Sequence, residues 1–185
     1  YSAIGIAPDL IWKCKNGTSE TAKPKNGNFT FEKNNENPIK SLKKLIKQSK
    51  IDIPEHLPPL SAGLFGYIGY DMVSYFENIE IKNNDPLNLP ETILMRPSLI
   101  CIFNRLKDEF ILITPVRAKK DISALDAWEN GKNILSSAVN DLNVGLEHRN
   151  LPVQKDTMLD NNAPSNLEKL DFYNSVERAK EYIKS

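Results

Sequence analysis

Apolar and polar residues follow two rhythms along this chain. Three short β-rich runs open it, Tyr1–Ile6, Leu10–Lys15 and Asn28–Glu32, separated by Ala7-Pro8-Asp9, Asn16-Gly17 and Asn26-Gly27. Asn-Gly pairs tolerate the positive φ angles of tight hairpin turns, so an antiparallel meander is expected here. From Pro38 to Ser49 the rhythm becomes helical. Ile39, Leu42, Leu45 and Ile46 share one face, Lys40, Lys43, Lys44 and Lys47 the other, and Pro38 suits a first turn. Thr92–Met95, Leu99–Phe103 and Phe110–Thr114 are continuous apolar runs, the pattern of strands covered on both faces. The polar stretch Asn104–Glu109 makes the last two a hairpin. Asp121–Leu142 carries the clearest helical stripe, Leu125, Trp128, Leu135, Ala138, Val139 and Leu142, with Asp121 or Ser123 available as a cap. Gly131 inside it costs about 1 kcal/mol relative to Ala, which points to a close neighbour. Asn78–Pro90 reads as a surface loop, Asn143–Asn166 as a linker, and Phe172–Lys184 as a helix with Phe172, Val176, Ala179 and Ile183 in a stripe.

The segment from Leu57 to Glu77, LPPLSAGLFGYIGYDMVSYFE, stands apart. Gly63, Gly66 and Gly69 recur at every third position, with Phe65, Tyr67 and Tyr70 among them, and no charge precedes Asp71. Glycine weakens a strand unless a close backbone approach requires it. The segment therefore reads as a buried, closely packed strand. It lacks the GxGxxG start and the lysine of phosphate-cradling loops, so packing is the better reading. Asp71, next to buried aromatics, needs hydrogen-bond donors. It is expected to cap a helix beginning at Met72, with Met72, Val73 and Phe76 inward. Arg96 and Arg117 are candidate ion-pair partners for Asp71 or Glu77.

Composition narrows the function classes. In 185 residues, Lys+Arg and Asp+Glu are both 24, so no strongly charged partner is implied and nucleic acid is not expected. No apolar run is long enough for a membrane helix. Cys14 and Cys101 match no metal spacing and read as reduced core residues. The chain's two histidines, His56 and His148, sit in loops without partners at ligand spacing, and Asp156 and Asp160 lack the pattern of a calcium loop. Asn16-Gly17-Thr18 and Asn28-Phe29-Thr30 match the glycosylation triplet, a pattern that arises often by chance. A cytoplasmic location is expected. The absence of an initiator Met and the stop inside a helical pattern at Ser185 suggest a piece of a longer protein.

Four stretches, YSAIGIAPDLIW (1–12), LPPLSAGLFGYIGYDMVSYFE (57–77), LPETILMRPSLICIFN with ILITPVR (89–117) and FYNSVERAKEYIKS (172–185), together resemble the N-terminal region of anthranilate synthase component I, a chorismate-utilising enzyme. The glycine-aromatic block is shared with aminodeoxychorismate and some isochorismate and salicylate synthases. The resemblance implies an α+β fold of stacked antiparallel sheets with outer helices. It implies conversion of chorismate and ammonia to anthranilate and pyruvate in the first step of tryptophan biosynthesis. It also implies Mg2+ at the active site, a glutamine amidotransferase subunit as partner and L-tryptophan as feedback inhibitor. On that basis residues 1–142 form the N-terminal region, 143–170 a linker and 171–185 the first helix of the chorismate-binding region. The catalytic and magnesium-binding groups are expected beyond Ser185, so the piece alone should be inactive. Gly63, Gly66, Tyr67, Gly69, Tyr70 and Asp71 form the family's structural motif. Ser74 departs from it, since many relatives carry Arg there. The alternatives are the folate-pathway aminodeoxychorismate synthase and a non-catalytic ligand-binding module.

Overall fold

The structure, a computed structural model, describes residues 1–81, 85–117, 121–144 and 165–185. It has the expected α+β character, with an antiparallel sheet and helices. Six strands, β1 (Ser2–Lys15), β2 (Thr18–Lys25), β3 (Asn28–Lys33), β4 (Phe65–Ile68), β5 (Thr92–Asn104) and β6 (Glu109–Ile113), form one sheet. Its order is β3-β2-β1-β5-β4, with β6 pairing β5 beyond the end of β4. Residues Tyr1–Val144 and Gly145–Ser185 are two compact units. The second contains the helix α3 (Lys169–Lys184), three residues longer at its start than the pattern from Phe172 implies. His148, Asp156, Asp160 and most of the expected linker lie outside the described residues.

The two Asn-Gly turns form as expected. Asn16 and Gly17 have φ of 48° and 74°, Asn26 and Gly27 51° and 80°, which are the paired positive values of a two-residue hairpin turn. The strands between them are longer than the pattern implied. Tyr1–Ile6 and Leu10–Lys15 are one strand, and Ala7-Pro8-Asp9 is a bulge within it, with Ala7 at φ 48° and the register shifting between Pro8 and Leu10. Thr92–Met95 and Leu99–Phe103 likewise merge into β5. Pro8 and Pro97 face each other across the ladder. Two residues without N–H groups thus share one break in pairing, and both strands continue past it. The polar segment TSETAKPK, which carries no apolar alternation, forms β2 because β1 and β3 pair with it on either side.

The helix α1 (Pro38–Ser49) has the bounds its pattern implied and is capped by the Asn37 side chain accepting from Ile39 N–H at 2.9 Å. Its Leu42 and Leu45 join Leu10, Trp12, Cys14, Met72 and Leu94 in the core, while Ile46 stays exposed. Trp12 is fully buried and donates from Nε1 to Ser41 Oγ at 3.0 Å, so its one polar atom is satisfied.

The helix α2 (Ala124–Asn143) is capped by Ser123, whose Oγ accepts from Asp126 N–H at 3.1 Å; Asp121 takes no part. Its buried residue is Gly131, where an added Cβ would come within 2.7 Å of Val116. That confirms a close neighbour, while of the shared apolar face only Leu135 and Ala138 are half-buried. Leu125, Trp128, Val139 and Leu142 are exposed, and the helix meets the sheet along the Gly131 side. Coverage of both faces of β5 is also corrected. Leu99–Ile102 is buried throughout, but Met95 and Phe103 are exposed. By strand alternation they share a face with Ile4, Ile6, Tyr67 and Phe110, which are exposed as well.

The glycine segment is neither one strand nor buried. It comprises a 3-10 turn at Pro59–Ser61, the short edge strand β4 and a 3-10 helix at Tyr70–Tyr75. The close packing is real, however. A Cβ on Gly66 would lie 1.9 Å from the Ile93 carbonyl oxygen, and Gly66 has φ 155°. Gly66→Ala should therefore cost about 3 kcal/mol or more. Gly17→Ala, at φ 74° with nothing within 4 Å, should cost about 1 kcal/mol. Denaturant unfolding of both variants measures the contrast, and equal losses would contradict it.

Candidate functional site

The glycine motif brings one polar cluster together. β4 lies against the start of β5, with Gly69 N–H donating to the Glu91 carbonyl at 2.7 Å and Tyr67 Oη donating to the Pro90 carbonyl at 2.6 Å. A side chain at Gly69 would meet that same Glu91 oxygen at 2.8 Å. A Cβ on Gly63, by contrast, would meet only the Phe65 ring, at an ordinary contact distance of 3.9 Å. The chain then turns into the 3-10 helix, and Met72 drops into the core at 2% exposure. Tyr70 is 79% and Phe76 60% exposed, so of the residues expected inward Met72 is buried and Val73 half-buried, while the half-buried Tyr75 takes the place of Phe76.

Asp71 is exposed and does not cap the helix, whose N-cap is Gly69 without a side-chain bond. Asp71 is therefore not a desolvated carboxylate that demands an arginine. The Asp71 carbonyl accepts from Ser74 Oγ at 2.8 Å, a local bond that closes the turn.

Tyr75 carries the motif across to the first hairpin. Gly17 N–H donates to Tyr75 Oη at 2.6 Å, and Asn16 N–H donates to Glu91 Oε1 at 2.9 Å. Both turn donors are thus received by side chains from segments 58 and 75 residues away. Cys14 lies beside them, fully buried. Glu91 Oε2 and Thr92 Oγ1 are buried without a partner among the described residues. Burial, reinforced by the charge of Glu91, pushes the Tyr75 phenol up to about 12 against the hydrogen bond from Gly17, and burial also raises the Cys14 thiol. A phenol and a thiol held in their protonated forms are poor bases and nucleophiles at neutral pH. The cluster locks segments together.

Arg96 pairs with neither Asp71 nor Glu77. It takes Asp9 from the β1 bulge, Nε to Oδ1 at 2.6 Å and Nη2 to Oδ2 at 2.9 Å, and donates from Nη1 to Ser49 Oγ at 3.2 Å. Arg117 has no carboxylate partner among the described residues. Sequence reasoning passed over Asp9, Tyr75 and Glu91, and a single sequence holds no signal for pairs separated by this much chain.

A cleft of about 680 Å³ runs between α1 and the β2–β3 ribbon; Lys23, Lys25, Lys33 and Lys44 line it with Glu32 and Glu36. An apolar hollow of about 450 Å³ lies between α1 and the glycine segment, lined by Leu42, Ile46, Leu64, Ile68 and Leu94. Neither gathers acid, base and nucleophile. Among the described residues no group of three or more His, Cys, Asp or Glu could hold a metal ion. The described residues supply no ligand set for the magnesium that the resemblance implies, whose binding groups are expected beyond Ser185. His56 is exposed, and Cys14 and Cys101 are free thiols.

Two measurements test the cluster. Cys14 and Cys101 should stay unmodified by Ellman's reagent in the native protein and both react once it is denatured; fast labelling of the folded chain would contradict their burial. For Tyr75, the folded state holds its proton more tightly than the unfolded state. Stability should therefore fall as pH rises from the ordinary value of 10.0 toward about 12. Tyr75→Phe should flatten that part of the pH profile in denaturant unfolding.

Comparison with known proteins completes the picture. A profile of the chorismate binding enzyme family matches residues 7–185. The whole chain is 34% identical, over 189 residues, to anthranilate synthase component 1 of Cereibacter sphaeroides, covering 37% of that protein. The corresponding protein of Saccharomyces cerevisiae is 30% identical over 187 residues, again across the whole chain and 34% of the relative. The crystal structure of anthranilate synthase component I from Streptococcus pneumoniae TIGR4 matches with a TM-score of 0.54 and 21% identity, over 75% of this chain and 29% of that one, which shows a common fold. The chain spans about a third of the length of the curated relatives it matches.

Proposed function

The chain belongs to the chorismate binding enzyme family, and on that premise we propose that it is the N-terminal part of an anthranilate synthase component I. The full-length similarity to anthranilate synthase component 1 proteins carries this reading. The complete protein would add ammonia to the chorismate ring with loss of the ring hydroxyl as water, and eliminate pyruvate, leaving anthranilate. A glutamine amidotransferase subunit would supply the ammonia, magnesium would assist in the remaining part of the enzyme, and tryptophan would restrain the reaction as the pathway's end product. A cytoplasmic location fits this role. Among the described residues no helix is long and apolar enough to cross a membrane.

This part contributes framework. The described groups with raised pKa values remain protonated at neutral pH, and none is poised for acid–base chemistry. The exposed apolar sheet face bearing Ile4, Ile6, Met95, Phe103 and Phe110 suits burial against further structure of the same enzyme. The Gly66 and Gly69 contacts hold the edge of that face in place.

The test is an assay of the longer polypeptide with chorismate, ammonia and Mg2+, following anthranilate fluorescence. Anthranilate and pyruvate are expected in equal amounts, and none from residues 1–185 alone. Aminodeoxychorismate as the product would move the protein to the folate branch. Failure to consume chorismate at all would favour a ligand-binding module.

A further inference from the structure

Two guanidinium groups and one carboxylate meet where the bulge of β1, the middle of β5 and the residues after β6 face α2. Arg96 binds both oxygens of Asp9, and Arg117 makes no hydrogen bond to that carboxylate. The Nε and Nη2 atoms of Arg117 are closed to water and have no acceptor, and Thr114 Oγ1 is in the same position. The Arg117 Nη1 donates to the Pro115 carbonyl at 3.4 Å, a long and weak bond to a residue two places back. Burial, then the charge of Arg96, lowers the Arg117 pKa from its ordinary value, and Asp9 only partly offsets this. A guanidinium nonetheless stays protonated in proteins. The group therefore holds one positive charge more than it neutralises, where an unpaired charge is costly.

A cavity of about 120 Å³ adjoins it, lined by Asp9, Ser98, Thr114, Arg117, Asn130 and Gly131 among others. Gly131 sets its depth, because a side chain there would run into Val116. Asn130 is exposed and stands at the rim.

We propose that this cavity binds a small, singly charged oxyanion, a carboxylate or dihydrogen phosphate, received by the Arg117 guanidinium with the Thr114 hydroxyl as second donor. The charge count sets the valence. One guanidinium is uncompensated, and the Asp9 carboxylate in the lining disfavours a second negative charge. The planar fork of Arg suits two oxygens of one group. Little opposes its turning onto an anion, since only the weak bond to Pro115 is given up. The cavity is too small for a ligand with a large body, which separates this site from the 680 Å³ cleft. The inference does not depend on the chorismate reading, because its test uses neither chorismate nor activity.

The full 185-residue chain is titrated with sodium acetate and, separately, with sodium phosphate at pH 6, against sodium chloride at matched ionic strength. Binding is read by calorimetry, by thermal unfolding and by line broadening of 13C-labelled acetate. At least one of the two anions should bind saturably and raise the unfolding temperature with concentration as mass action requires, and chloride should not. Acetate alone would identify a carboxylate ligand, and phosphate alone an inorganic one. Arg117→Gln should weaken binding roughly tenfold or more, and Thr114→Val should weaken it by a smaller factor. Circular dichroism checks that each variant folds. Should Arg117→Gln fail to fold, Thr114→Val and Arg117→Lys carry the test, the latter keeping the charge but losing the fork. Absence of saturable binding by both anions, or equal binding by wild type and every folded variant, overturns the proposal.

Discussion

Fourteen residues of β1 lie antiparallel along the thirteen of β5, from Ser2 opposite Phe103 to Cys14 opposite Thr92. Every other element of the first unit is placed by this pairing. β2 and β3 extend it on one side, β4 and β6 divide the other edge of β5 between them, and α1 packs over Leu10, Trp12, Cys14 and Leu94. The weak point of such a long ladder is the proline on each strand. Facing Pro8 with Pro97 confines the lost donors to one place, and the bulge there turns Asp9 toward Arg96. A defect in hydrogen bonding thereby becomes an ion pair, with side chains only 12% and 25% exposed, that ties the two strands where their ladder is interrupted.

The glycine motif works by the same logic at the other end of β5. Gly66 and Gly69 let the edge strand sit against the Ile93 and Glu91 carbonyls at distances no side chain permits. That approach allows Met72 to enter the core and Tyr75 to reach the first hairpin turn. The aromatic residues of the motif divide accordingly. Tyr67 and Tyr75 anchor through their hydroxyls, and Tyr70 is left in the open.

Charge and apolar surface are distributed unevenly over the first unit. The Asp9–Arg96 pair satisfies itself, and Arg117 is left with a surplus beside a small cavity. On the sheet, alternation sends Ile4, Met95, Phe103 and Phe110 to a face that lacks the cover α1 gives the other. An apolar sheet face of this kind accords with a chain that spans about a third of its relatives' length.

Local chemistry made much of this legible in advance. Asn-Gly turns, the Pro-started helix at 38–49, the hairpin around Asn104–Glu109 and the need for close contact at Gly131 all follow from backbone preferences and short periodicity, and all appear as read. What local pattern could not decide were the effects of pairing partners. The polar segment 18–25 became a strand because neighbours on both sides offered ladders, and the two prolines failed to end theirs because each faced the other. Much of the apolar stripe of α2 stays exposed because Gly131, and not the large side chains, allows the approach to Val116. The aromatic neighbours of Asp71 imply a need for hydrogen-bond donors, yet an edge strand and a 3-10 turn leave it in water. Asp9, Glu91 and Tyr75 gain their roles only from residues 58 to 87 positions away. Residue type and spacing set which turns and helices can form; which charges meet, and which apolar faces are covered, is settled only when distant segments compete for the same space.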